Sequence, residues 1–354
     1  MNQEMKPSRV QNRHVWILVL VMTVAGLAWV KWLPYWNKAF FAAEHHSIGR
    51  SILMGDAAIP PPPSLGAAID YAIAYGNSIW KAMVLGLLLG SAVQALLPPH
   101  WIERVLGATG LRSVAAAGAL SLPGMMCTCC AAPVVAGLRA ARASPGAATA
   151  FWLGNTMLNP ATLVFMGFVL GWNWSALRLV LGVVMVFGAG VIVDRWLARA
   201  EDGEVKAPSG NVAVPDVVAG SPFARWLRTL ASMFVRLVPE YIVLVLLLGA
   251  ARAWLFPHLD TGIGNEAIWV LAFALAGAIF VIPTAGEVPI VQSALALGVA
   301  AGPAAAMLCT LPPVSLPSLA MLVRSFPLRV LAAVFCWVVL IGIVAAAIAV
   351  ALGF

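Results

Sequence analysis

Charge is what this sequence has least of. Asp, Glu, Lys and Arg make up 10% of its 354 residues, against about a quarter in soluble domains, while 62% are hydrophobic and mean hydropathy is +0.94. That excludes a soluble globular protein. There is no Gly-x-x-x-x-Gly-Lys-Ser/Thr phosphate loop and no soluble nucleotide-binding domain, so ATP would have to come from a partner subunit. Cysteine is sparse too, five in all. Three of them share one apolar stretch, which is not a secreted disulfide framework, and no second Cys or His pair faces them at a structural-zinc interval. No cleavage site follows the first apolar run, 15–33, which reads as a retained span rather than a signal peptide. No metal site and no cofactor are assigned.

What is present is apolar length. The stretches 82–102, 144–177, 267–286 and 330–354 reach the roughly 20 residues that cross a bilayer. The expected fold is an all-α integral membrane protein with about 11 membrane segments. Residues 1–70 would hold the N-terminal span and an outer loop containing Glu44-His45-His46 and the stiff run Pro60 to Pro63. A first membrane repeat follows at 71–200, a cytoplasmic linker at 201–224 within a polar stretch that runs to Arg228, and a second repeat at 225–354.

The two halves match. Leu87 to Pro98 aligns with Leu246 to Pro257, and Pro123, Pro133, Pro145 and Pro160 align with Pro283, Pro289, Pro303 and Pro317, at offsets of 156 to 160 residues. Recurring Gly and Pro breaks in two halves point to a transporter's binding site. The segments 113–122 and 134–141 are each too short to cross, so the chain is expected to reach mid-membrane, break at 123–133 and return, or else to cross with longer helices on both sides. A second break lies at Gly154 to Pro160.

The excess of Lys and Arg, net +7, records topology rather than nucleic-acid binding. With the N terminus inside, inner segments hold Lys6, Arg9, Arg13, Arg104, Arg112, Arg139, Arg142, Arg195, Arg199, Lys206, Arg225, Arg228, Arg236, Arg324 and Arg329, and outer ones hold only Lys31, Lys38, Arg50, Arg178 and Arg252. Each half crosses an odd number of times, so the second is inverted and the C terminus falls outside.

The chemistry sits at the breaks. Cys127, Cys129 and Cys130, between Pro123 and Pro133, form a soft-ligand trap suited to thiophilic species. At the matched place Glu287 occupies the position of Ala131, an ionisable residue inside a span and a candidate proton relay. Lys81 and Glu240 coincide under the alignment and could pair across the pseudo-twofold axis. Asn155, Thr156 and Asn159 in one break, and Thr310 and Ser315 in its counterpart, are candidate lining residues, because unwound backbone at this depth must be buried or line a wet cavity.

The motifs Cys127-Thr-Cys-Cys-Ala-Ala-Pro133, Ala143-Ser-Pro-Gly146, Gly154-Asn155, Asn159-Pro160, Gly286-Glu-Val-Pro289 and Ser315-Leu-Pro-Ser-Leu319 resemble the predicted permeases of the ArsP/YraQ type. Characterised relatives in that family export trivalent organoarsenicals. The resemblance implies a multi-pass permease of a bacterial inner membrane. Cys127 and Cys129 match the family's Cys-x-Cys pair, and Cys130 stands where relatives often have Ser or another small residue.

The leading expectation is a secondary permease that exports a small thiophilic solute, with thiols binding it and Glu287 coupling its release to protons. A membrane thiol oxidoreductase or sulfur-handling protein using Cys127 and Cys129 is the alternative, and a passive channel subunit a third. Expected partners are a small-molecule or metalloid substrate and the lipid bilayer. A homo-oligomer is left open, and nucleic acid is not a partner.

Overall fold

A computed structural model describes residues 9–55, 60–201, 221–256 and 263–354, and every regular element in them is helical. The linker expected at 201–224 falls almost wholly on 202–220, outside the described residues, as do Lys6, Lys206 and Pro257. In chain order, α1 (Arg9–Leu27) passes through a π-helical turn (Ala28–Trp32) into α2 (Leu33–His45), and α3 (Leu65–Leu96) follows. Then come α4 (Pro99–Leu106), α5 (Leu111–Ser121), α6 (Thr128–Ala140), α7 (Pro145–Met157), α8 (Pro160–Val169) and α9 (Trp172–Glu201). The second half has α10 (Pro222–Leu255), α11 (Ala267–Ile279), α12 (Glu287–Ala296), α13 (Ala301–Thr310), α14 (Leu316–Leu322) and α15 (Leu328–Leu352).

Among the described residues, five helical stretches are long and apolar enough to cross a membrane: Val19–His45, Leu65–Leu96, Trp172–Trp196, Pro222–Leu255 and Leu328–Leu352. A sixth arises if α4 and α5, bent by 107°, count as one span. The first span differs from its expected limits. The helix does not stop at residue 33 but runs on to His45, so the loop after it is shorter than expected and Lys31 lies within the span, at 4% exposure. Its ammonium finds polar partners inside the protein, which removes the reason for the helix to end there. Likewise α10 begins at Pro222, so Arg225 and Arg228 are helical rather than part of a linker.

Small residues and caps set the helix positions. Ser144, Asn159 and Ser221 accept backbone N–H bonds at helix starts, each followed by a proline at the first helical position, where the missing N–H costs nothing. Gly86 and Gly90 let α3 lie against α6. A Cβ on Gly86 would collide with the Cys130 carbonyl oxygen, and one on Gly90 would meet the carbonyl carbon of Pro133 at 2.5 Å, the close approach that Gly-x-x-x-Gly spacing permits. The packing of the halves is alike. α5, α7 and α9 pack on one another as α11, α13 and α15 do, while α3 lies along α10 and α9 against α15.

Candidate functional site

Four chain breaks meet in the interior. α5 ends in a 3-10 turn, Leu122–Gly124, and Met125 adopts a left-handed conformation (φ 46°) before α6 starts at Thr128. Between α11 and α12 the chain is extended at Phe280 and left-handed at Ala285 (φ 66°) before α12 starts at Glu287. Non-glycine residues in this region carry strain that cores tolerate mainly at functional places. Counted from the helix starts Glu287 matches Thr128, and counted from Pro133 and Pro289 it matches Ala131. Two further breaks, Leu158–Asn159 and 311–315, separate α7 from α8 and α13 from α14.

The prolines divide by role. Pro123 and Pro283 lie in breaks, and Pro160 and Pro317 open the helices that follow breaks. Pro133 and Pro289, expected as breaks, instead lie within α6 and α12. Pro289 sits in a first turn, where N–H groups lack intrahelical partners, and Pro133 removes one bond from a helix held by its packing on α3.

The three thiols are buried and free, and they do not act as one face. The Sγ atoms of Cys127 and Cys130 are 2.8 Å apart, whereas Cys129 turns to the Ser315 hydroxyl at 3.4 Å. Residues three apart share a side of a helix turn and residues two apart do not. The thiol pair is thus Cys127/Cys130, not the Cys127/Cys129 pair that the sequence suggested for redox chemistry. Thr128 ties the cluster to the other half, donating to the Pro313 carbonyl (3.2 Å) and accepting from Trp152 Nε1 (2.8 Å).

Glu287 is paired with Arg178, a residue sequence reasoning had assigned to the outer surface. Both are almost fully buried. Arg178 Nη1 donates to Glu287 Oε1, Nη2 to the Thr156 carbonyl (2.7 Å) and Nε to the Met157 carbonyl (3.3 Å). One guanidinium thereby holds the carboxylate of one break and the orphan carbonyls ending α7. Lys81 and Glu240 do not pair. The Lys81 ammonium lies over the rings of Trp29 (5.3 Å) and Trp80 (5.6 Å), on an exposed face of α3, so a cation–π contact replaces the ion pair.

The neutral candidates are buried. Asn155 Nδ2 donates to the Phe151 carbonyl, and its Oδ1, packed against Gly124, has no partner. Asn159 Oδ1 caps α8, leaving its Nδ2 unpaired. Thr156 and Thr310 each bond to a carbonyl of their own helix, and Ser315 caps α14 in a reciprocal box with Ser318.

All four tyrosines of the chain lie here. Tyr35 accepts a hydrogen bond from Lys31, and Tyr71 donates to the Val281 carbonyl. The rings of Tyr75 and Tyr241, 6.1 Å apart between centroids, lie beside Cys129. Lys31, Arg178, Thr284 and these tyrosines were missed from sequence. For the two cations the signal was available, since each interrupts an apolar run.

Two larger cavities border opposite ends of α3 and α10, one at residues 70–79 and Arg252, the other at Gln94 and residues 228–237, and a small pocket adjoins the first. A cavity of about 1050 Å³ is lined by Lys31, Lys38, Arg50, Arg252 and the break residues Pro283 to Gly286. Behind Pro283 to Ala285 is a pocket of about 10 Å³ touching Cys127, Thr156 and Glu287, room for about one water. A cavity of about 250 Å³ lies beside the far part of α6, lined by Ala136 with Arg228, Arg236 and Arg324.

Buried charge and thiols at the meeting of broken helices, enclosed by apolar membrane-length helices, define a multi-pass membrane permease. The chain belongs to the ArsP_1 family, whose description is predicted permease and whose model matches residues 64–352. It is 51% identical over 314 residues to the UPF0718 protein YraQ of Escherichia coli (strain K12), covering 89% of this chain and 88% of the relative. It is 21% identical over 302 residues to the UPF0718 protein MJ0584 of Methanocaldococcus jannaschii, covering 67% of this chain and 82% of that protein. No solved structure matches.

Proposed function

We propose that the protein is a secondary permease built on two five-segment inverted repeats, α3 to α9 and α10 to α15, after an extra N-terminal span. With the half-helix segments counted, this gives about 11 membrane segments. It carries a small thiophilic solute, such as a trivalent organoarsenical, outward across a bacterial inner membrane, with the N terminus cytoplasmic and the C terminus periplasmic. One observation supports this reading: the thiols and the buried Arg178–Glu287 pair lie at the breaks in the interior, next to a small pocket that adjoins the cavity of about 1050 Å³, with a cavity of about 250 Å³ at the other end of α3 and α10. Such a site could be opened to one cavity at a time.

Cys127, Cys129 and Cys130 would take the soft centre of the solute, with Asn155, Thr156, Asn159, Thr310 and Ser315 shaping the breaks around it. Protonation of Glu287 would release Arg178, and with it the carbonyls ending α7, coupling proton entry to movement of the breaks. Replacing Cys127 and Cys129 with Ser in a sensitised host, at matched expression, should abolish resistance to methylarsenite. Unchanged resistance would sink the thiol role.

The proximity of Cys127 and Cys130, a Cys-x-x-Cys at a helix start, favours one second reading, a membrane thiol oxidoreductase. A reversible disulfide that a partner protein reduces, with no solute flux, would select it. A passive channel would instead show flux that ignores both the proton gradient and Glu287→Gln.

A further inference from the structure

At one end of α3 and α10, three guanidinium groups line a single cavity with no carboxylate in its walls. The cavity, of about 250 Å³, is bordered by Arg228 and Arg236 of α10 and by Arg324, just past the end of α14. Among the described residues none of the three makes a hydrogen bond, an ion pair or a ring contact, and Glu240, one helical turn beyond Arg236, is not bonded to it. Like charges gathered in one place repel, so the cluster calls for an anion. Arg presents a planar fork that matches two oxygens of a phosphate.

Helical register brings the group together. Residues 228, 232 and 236 recur every four positions and so run along one side of α10, with Ser232 between the two arginines. Ser232 and Ser325 add hydroxyls, and Gln94 an amide. Much of the remaining wall is apolar, formed by buried Met233, Leu237 and Met321 and half-buried Ala136.

Two observations set this cavity at a membrane surface. Arg236 precedes the stretch 237–251, whose one charge is Glu240, and Arg324 and Arg329 precede 330–354, which carries none. Each cation thus stands where a charge-poor span begins. On α10 the apolar neighbours of the arginines, Leu227, Phe234 and Val235, are turned outward and exposed, the face that a membrane-spanning helix offers to lipid chains. An anion that arrives on an acyl chain satisfies both the arginines and this face.

We propose that Arg228, Arg236 and Arg324 form a binding site for the phosphate headgroup of an anionic membrane phospholipid, whose acyl chains lie on α10 at Leu227, Phe234 and Val235. Basic pockets between helices at a membrane surface hold acidic headgroups through this chemistry. The walls come from both halves of the chain, Gln94 and Ala136 from one and α10 with Arg324 from the other, so the lipid bridges them. The site requires only the membrane class of the protein and no particular solute or direction of transport.

The test uses the purified full-length protein in detergent, with phosphatidylglycerol, phosphatidylcholine and inorganic phosphate as probes and native mass spectrometry to count retained lipid. Phosphatidylglycerol should be held at least about tenfold more tightly than phosphatidylcholine, whose phosphate already has a choline cation in the same molecule. Arg236→Gln and Arg324→Gln should each weaken retention by about tenfold, the loss of one charge-assisted hydrogen bond. Arg236→Lys, a point charge without the fork, should keep part of it. Arg329→Gln, a nearby cation that does not line the cavity, should change nothing. In Ser232→Cys, phosphatidylglycerol should slow maleimide labelling at position 232, read by peptide mapping, while the exposed Cys336 reacts unchanged. The comparison of lipids on the unaltered protein stands if a variant fails to fold.

Equal retention of the two lipids, or retention undiminished by Arg236→Gln with Arg324→Gln, would overturn the proposal. Protection of position 232 by inorganic phosphate at the same concentrations would overturn it too, revealing a site for a soluble anion. So would phosphatidylglycerol binding that emerges only once Asp202, Glu204 and Asp216 are replaced by Asn or Gln, because the chain's own carboxylates would then be the native occupant.

Discussion

At the scale of the residue, the site is governed by how few charges it contains and how completely each is enclosed. Removing one member of a buried ion pair leaves the other unpaired, a loss of about 3–5 kcal/mol. Glu287→Gln and Arg178→Met should therefore each lower the melting temperature in detergent markedly, and the double replacement Arg178→Met with Glu287→Met should recover most of the loss. Equal stability of the single variants would mean that the pair is solvated and unimportant to the fold.

The thiols make a second residue-level prediction. Because Cys127 and Cys130 share a side of the α6 turn and Cys129 faces Ser315, mild oxidation should join Cys127 to Cys130 and leave Cys129 alkylatable. Peptide mapping by mass spectrometry reads this directly, and a Cys127–Cys129 link would contradict the geometry.

At the scale of the element, the Cys-bearing helix is positioned by glycines on its neighbour. Gly90 faces the Pro133 carbonyl and the Val134 nitrogen of α6, and backbone there cannot move aside, whereas a Cβ on Gly76 of the same helix meets nothing within 4 Å. Gly90→Ala should destabilise by about 1–3 kcal/mol through overpacking. Gly76→Ala should be neutral or stabilise by up to about 1 kcal/mol through helix propensity. Thermal melting of the two variants side by side checks both, and a Gly90→Ala protein as stable as Gly76→Ala would place α3 farther from α6.

The same scale shows what could be read in advance. The breaks near Pro123, Pro160 and Pro283 were legible, because proline chemistry is local, whereas the helix start at Ser221–Pro222 was read as linker. Pro133 was misread because only its contact with α3 keeps the helix going through it. Lys31 was misplaced for a related reason: a lysine within an apolar run looks like the end of a span until Tyr35 and Thr284 are brought to it.

At the scale of the whole molecule, the large cavity and the cavity beside Arg228, Arg236 and Arg324 border opposite ends of α3 and α10, so under the permease reading access should be sided. A cysteine placed at Asn77, which lines the large cavity, should react with a membrane-impermeant thiol reagent added outside intact cells. One placed at Ser232, lining the other, should react only in inverted vesicles. The reverse pattern would invert the proposed orientation, and labelling of both from one side would rule out sided access.

The sequence by itself determined the membrane class, the family and the positions at which polar residues interrupt apolar helices, since each follows from composition and from local backbone chemistry. Only the tertiary structure decided which of those residues meet. Lys81 and Glu240, matched in the alignment, stay apart, while Arg178 reaches Glu287 across 109 positions and Lys31 reaches Thr284 across 253. A buried charge takes its partner from whichever helix packs against it, and packing is a property of surfaces brought together from distant parts of the chain.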